Sequence, residues 1–147
     1  MRVTSTCPYL PPATVLDALT GLPPTDYEVH VVPLRYRERP HMSAWTDFDA
    51  RRITLQVPEP FLPFGEVVAY GAKRRPGPGM RFIWLTEGIT ITEPGELLRF
   101  LYLHEWMHVH ARAVGWRAGE TTCDRFALRN YLRDEVGMAD AEAARRR

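Results

Sequence analysis

Apolar positions change their spacing about two thirds of the way along the chain. Before residue 92 they come in short β-type runs broken by proline and glycine. After it they recur around a helical wheel. Residues 12–20 predict a short helix, with proline at its start and Gly21 just past its end. Residues 27–32 and 53–57 predict strands, the second stopped by Pro58 and preceded by a turn at residues 47–51. Residues 67–70 and 80–85 predict two more, joined by the basic Pro-Gly loop at residues 73–79. A turn at Thr86, Glu87 and Gly88 then leads into a last short strand at residues 89–92.

Two helices should follow. Thr92 suits an N-cap, Glu93 and Glu96 suit the positive end of the dipole, and Gly115 suits the stop after Val114. The second helix is expected over residues 119–136, ended by Gly137. Residues 138–147 read as a short polar tail that frays.

The first of these helices is apolar nearly all round, which is the pattern of a buried helix. Leu97, Leu101 and Ala111 share one side, Phe100, Leu103, Met107 and Val114 the next, and Tyr102, Trp106 and Val109 the opposite one. Within it residues 104–108 read His-Glu-Trp-Met-His, a polar cluster that is costly to bury without a purpose. Each helical residue turns by about 100°, so His104 and His108 lie about 40° apart, one turn along the axis. They point the same way and can hold one ion. Glu105 stands beside them, placed to reach a water rather than the metal, as its catalytic base.

A catalytic zinc site needs a third protein ligand and an open position. On the second helix Glu120, Asp124, Ala127 and Tyr131 form one stripe, and Arg125, Arg129 and Arg133 fall elsewhere. The short link at residues 115–118 lets that stripe fold back on the first helix. Glu120 is then the natural ligand, and Asp124, one turn on, can take the free ring N–H of a zinc histidine.

His-Glu-x-x-His followed by Glu-x-x-x-Asp on the next helix resembles the gluzincin metallopeptidases. Residues 120–127, Glu-Thr-Thr-Cys-Asp-Arg-Phe-Ala, are similar to the glutamate helix of HtpX-like and CAAX-prenyl-type peptidases and of the soluble ImmA/IrrE-like peptidases. The resemblance covers about residues 97–132. It implies an α+β, zincin-like fold: a small twisted, mostly antiparallel sheet over an active-site helix, backed by a glutamate helix. It implies Zn2+ as cofactor, a protein or peptide substrate, and hydrolysis of peptide bonds. Substrate would add as a strand to the sheet edge, with residues 89–92 or 80–85 as that edge.

Other residues add less. Tyr131 and His41 are the candidates for stabilising the transition state, Tyr131 from the ligand stripe and His41 from a loop that can approach the cleft. His110 points away from His108, and His30 reads as a structural strand residue. Cys123 reads as a small buried residue. Cys7 and Cys123 have no metal-ligand spacing and read as free thiols, although Cys7 could in principle cap the zinc as a thiolate.

Composition narrows the setting. A chain of 147 residues with 45% hydrophobic and 25% charged side chains has the profile of one soluble domain. Net charge is +1, with both signs spread evenly, so bulk charge signals neither nucleic acid nor membrane. No run approaches the roughly 18 apolar residues of a membrane span, and the N-terminus lacks a signal-peptide core, so a cytoplasmic location is expected. Three rivals remain. A SprT-like DNA-associated protease shares the motif but takes a third histidine, and none follows His110. A catalytically silent zinc-binding regulatory module would not need Glu105. A helical protein without metal would keep the histidines in its core.

Overall fold

The chain order is β1 (Val3–Ser5), α1 (Pro12–Ala18), β2 (Glu28–Leu34), β3 (Ser43–Asp47), β4 (Arg52–Pro58), β5 (Phe64–Arg75), β6 (Arg81–Ile91), α2 (Pro94–Val114), α3 (Glu120–Asn130) and α4 (Met138–Arg145). The computed structural model describes residues 1–79 and 81–146. Among these, the fold is mixed α/β, with four helices and two small sheets. No helix is long and apolar enough to cross a membrane.

The larger sheet has the order β1-β2-β4-β3. Its inner strands are built by buried apolar side chains: Val29 and Val31 in β2, Ile53, Leu55 and Val57 in β4. The mostly antiparallel sheet expected from the sequence is corrected here. β1, β2 and β4 run parallel, and β3 alone is antiparallel, pairing Ser43 with Gln56 and Thr46 with Ile53. Parallel neighbours need a crossover. The segment containing α1 provides one between β1 and β2. Between β2 and β4 the chain passes through β3, which takes the outer edge. The smaller sheet is the antiparallel ribbon of β5 and β6, with an irregularity between Ala69 and Gly71.

Three further expectations are corrected. Thr86, Glu87 and Gly88 do not turn: they pair with Ala69, Val68 and Val67, so β6 runs unbroken from Arg81 to Ile91. Met80, the first residue of the expected strand, lies outside the described residues. The second helix stops at Asn130 rather than 136. Past its end the carbonyls of Tyr131 and Arg133 accept hydrogen bonds from the Arg99 guanidinium instead of continuing a helical ladder. Residues 138–146 do not form a frayed tail, and Arg147 lies outside the described residues. Met138–Arg145 forms α4, whose Ala141 and Ala144 are fully buried, and the Ala144 carbonyl accepts from buried Arg125 at 2.7 Å. Three residues apart on a helix, two alanines make a face narrow enough to sit flat against a neighbour. A polar-looking segment therefore docks.

Asp140 starts α4. One of its oxygens accepts the Gly137 N–H at 2.9 Å, and the other pairs with Arg133 at 2.5 Å. The Gly137 N–H, against a smaller opposing effect of burial, and then Arg133 hold this carboxyl below the usual range. A depressed folded-state pKa contributes stability above the unfolded value of about 3.9, and the contribution is lost as pH falls through the folded value. Asp140→Ala is therefore expected to cost about 1 kcal/mol at pH 7, the scale of a helix cap. The gap between variant and parent in thermal unfolding should close in strong acid. An equal gap at both pH values would assign Asp140 no such role.

α2 is the centre of the molecule. It touches α1, α3, β3, β4 and β6, and its Leu97, Leu98, Tyr102, Leu103 and Met107 have no exposed surface. Its buried polar tips are satisfied: the Tyr102 hydroxyl donates to the Pro23 carbonyl and the Trp106 indole to that of Pro24. Thr92 donates to the Glu96 side chain just ahead of the helix, and Gly115, left-handed at φ 77°, ends it.

Candidate metal centre

His104 and His108 stand one turn apart on the side of α2 that faces α3 and the β3 edge. Their Nε2 atoms are 3.2 Å from each other. The link after Gly115 brings back α3 so that Glu120, its first residue, meets both rings. One carboxylate oxygen is 2.9 Å from His108 Nε2 and the other 3.0 Å from His104 Nε2. A tetrahedron with zinc bonds of about 2.0–2.1 Å has edges of about 3.3 Å. The three contacts are close to that length. Two imidazole nitrogens aimed at one point repel if both present lone pairs, unless a proton or a cation lies between them.

Asp124 lies behind His104, its Oδ1 2.6 Å from His104 Nδ1. With Nδ1 as the protonated nitrogen, the ring donates to Asp124 and turns the Nε2 lone pair toward Glu120 and His108. Burial lowers the His104 pKa. The hydrogen bond and charge of Asp124, and then Glu105 and Glu120, outweigh it and leave the imidazole above its ordinary value.

Glu105 is buried, with 5% of its surface exposed, and reaches the site from the other side. Its Oε2 lies 3.7 Å from His104 Nε2, further than Glu120. Its Oε1 accepts from the Thr46 hydroxyl at 3.2 Å. Burial raises its pKa, and the neighbouring histidines and the Thr46 hydrogen bond offset that in part. His104, Glu105 and His108 form a group whose donor atoms lie within 4.8 Å, and this group could hold a metal ion. Glu120 completes a closer set of contacts on the solvent side, where its side chain is 76% exposed. Three carboxyl side chains gather around the two imidazoles, a donor set that suits a divalent cation.

The cleft above these residues is closed on one wall by Phe100 and Leu101 of α2, and on the other by Met42, Ser43 and Ala44. The strand along it is thus β3, rather than residues 80–85 or 89–92. Sequence reasoning missed both β3 and Thr46. A signal was present: the β-formers Trp45 and Thr46 lie between Pro40 and the turn at Asp47.

The remaining candidates are elsewhere. Tyr131 does not line the cleft. It is buried with its ring edge-on to Phe100, centroids 5.4 Å apart, and is a packing residue. His41 is exposed and does not line the cleft, although its neighbour Met42 does. His110 stacks on Trp106 and meets Trp116 edge-on, and His30 Nδ1 lies 2.7 Å from the Thr4 hydroxyl. Both cysteines are free and buried. Cys7 lies away from the cleft, its thiol pushed up to about 11 by burial and then by Glu59, so no thiolate is offered to the site. No family model matches the chain, and no curated protein or solved structure matches it.

Proposed function

We propose that the chain is a zinc-dependent peptidase that hydrolyses peptide bonds through an activated water. The observation that carries this reading is the convergence of His104, His108 and Glu120 at 2.9–3.2 Å beside a separate buried carboxylate, Glu105, held by Thr46. A purely structural site has no use for the second carboxylate. The donor set, two imidazoles and one carboxylate with a side left open to the cleft, suits a catalytic zinc site better than a closed structural one. A sheet packed on the motif-bearing helix supports a zincin-like reading, although its inner strands run parallel where that reading expected mostly antiparallel ones.

His104, His108 and Glu120 would hold the metal, and Asp124 would keep the His104 ring in the ligating tautomer. A zinc ion bound by these residues would supply Lewis acidity to a substrate carbonyl and to a water. Glu105 would take a proton from the attacking water at its Oε2 and pass it to the leaving amine. The Thr46 hydroxyl holds Oε1 of Glu105, which leaves Oε2 turned toward the histidines for the proton. The outer edge of β3 is unpaired among the described residues, so an extended peptide can add there as a strand, its carbonyl over Glu105.

Elemental analysis and a peptide-library digest test this reading. About one zinc per chain is expected, lost in the double variant His104→Ala/His108→Ala, together with cleavage that a chelator abolishes and zinc restores. Stoichiometric zinc without any cleavage would favour a regulatory module. A chain that takes up no zinc would leave the histidines as core residues. Asp124→Ala is expected to weaken zinc affinity about 10–100-fold while the far-UV spectrum stays unchanged. Unchanged affinity would detach Asp124 from the site.

A further inference from the structure

The outer half of the β5–β6 ribbon stands apart from everything above. Residues 67–86 contain four cations, Lys73, Arg74, Arg75 and Arg81, and no acidic residue, in a chain whose net charge is only +1. The register sorts them onto two faces. Arg74 lies opposite Phe82 and Ala72 opposite Trp84, so both aromatics and Arg74 share one face. Lys73 lies opposite Ile83 and Arg75 opposite Arg81 on the other. Phe82 and Trp84 are each 60% exposed. Small Ala72 across from Trp84 leaves the indole uncovered. The direct Arg75–Arg81 pair is repulsive, and cross-strand like charges destabilise a ribbon unless an anion lies between them.

We propose that this arm binds single-stranded nucleic acid, with bases stacked on Phe82 and Trp84 beside Arg74 and the phosphates along the edges of the two-stranded ribbon, which the long side chains of Lys73, Arg75 and Arg81 reach from the opposite face. Alternating cations and open aromatic faces on an extended strand are what a sequence-tolerant single-strand site needs. The balanced charge of the whole chain hides the feature, because the acids lie elsewhere. Other occupants fit less well. A second copy would set four cations against four. A lipid surface asks for several large apolar side chains at the tip to insert, and between Arg75 and Arg81 the sequence, Pro-Gly-Pro-Gly-Met, has only one, with Phe82 and Trp84 set back along β6.

The test is anisotropy of a fluorescein-labelled 20-mer oligothymidylate titrated with the full chain. Saturable binding is expected. Four neutralised phosphates give a logarithmic salt slope of about −2.8 for a single strand, so affinity should fall about 50-fold between 50 and 200 mM salt. Replacing Lys73, Arg74, Arg75 and Arg81 together by Ser should abolish binding. Phe82→Ala/Trp84→Ala should weaken it at least about fivefold and leave the salt slope in place. The proposal is overturned if the parent does not bind, if the aromatic variant binds as tightly as the parent, or if anionic phospholipid vesicles are bound and the oligonucleotide is not. Should either variant fail to fold, the parent's salt slope still decides, since a slope near zero excludes phosphate contact.

Discussion

Glu105→Gln is expected to keep about one zinc per chain and to cut peptide hydrolysis by about a hundred- to ten-thousand-fold, the usual weight of a general base. Glutamine fills the same space and can still accept from Thr46, so the fold should not notice the change. It cannot take a proton from water. Glu120→Gln should do the opposite to the metal. Glu120 is exposed and meets both histidines, and exchanging its charge for a neutral amide removes the one anionic contact in the proposed ligand set. Zinc should then be lost during dialysis against a weak chelator that the parent withstands. Zinc content and hydrolysis rate, measured on both variants, separate the two carboxylates. Should Glu105→Gln release zinc while Glu120→Gln retains it, the two roles are exchanged, with the His104, Glu105 and His108 group as the metal set. Retention of zinc and of full activity by both would remove the catalytic reading.

Arg99→Met is expected to lower stability by about 2–4 kcal/mol, a shift of about 5–15 °C in the thermal midpoint for a chain of this size. The Arg99 guanidinium donates to the carbonyls of Ala18 and Thr20, each at 2.9 Å, to Tyr131 at 2.8 Å, and to Arg133. One side chain of α2 thus satisfies the ends of α1 and of α3. Burial, opposed in part by Asp134, pulls its pKa down without discharging it. The chain is close-packed there: a Cβ on Gly21, which has φ +84°, would stand 1.8 Å from the Asp134 carbonyl oxygen. Methionine keeps the stem and leaves four carbonyls without their donor. Arg99→Lys keeps the charge but not the planar fork, and should recover only part of the loss. A midpoint within about 1 °C of the parent for Arg99→Met would mean that water replaces the guanidinium at no cost.

What was legible in the sequence was local. Gly115 stops α2 because a left-handed residue is needed there and glycine adopts it freely. His104 and His108 face one point because four residues on a helix nearly close a turn, whatever surrounds it. Asp124 and Glu120 share a stripe for the same reason, and a link of a few residues leaves α3 little choice but to return along α2. The centre of each inner strand was legible too, from runs of β-branched residues at 29–32 and 53–57.

The rest depended on partners distant in sequence. The turn expected at Thr86, Glu87 and Gly88 gave way because β5 offers those backbone groups a ladder, and paired amides outweigh a weak turn propensity. α4 forms because Ala141 and Ala144 find a surface to bury against, a fact no window of ten residues contains. The inner strands pair in parallel because the chain crosses over through α1 and then through β3, a connection that no strand pattern by itself reveals. Most consequential is β3: Thr46 meets Glu105 across 59 positions of sequence, and only the pairing of Ser43–Asp47 with β4 carries it there. Helical geometry repeats within a few residues and can be read from the chain. Strand neighbours are selected by hydrogen bonds and burial summed over the whole molecule, so the wall of the cleft was decided by the tertiary structure alone.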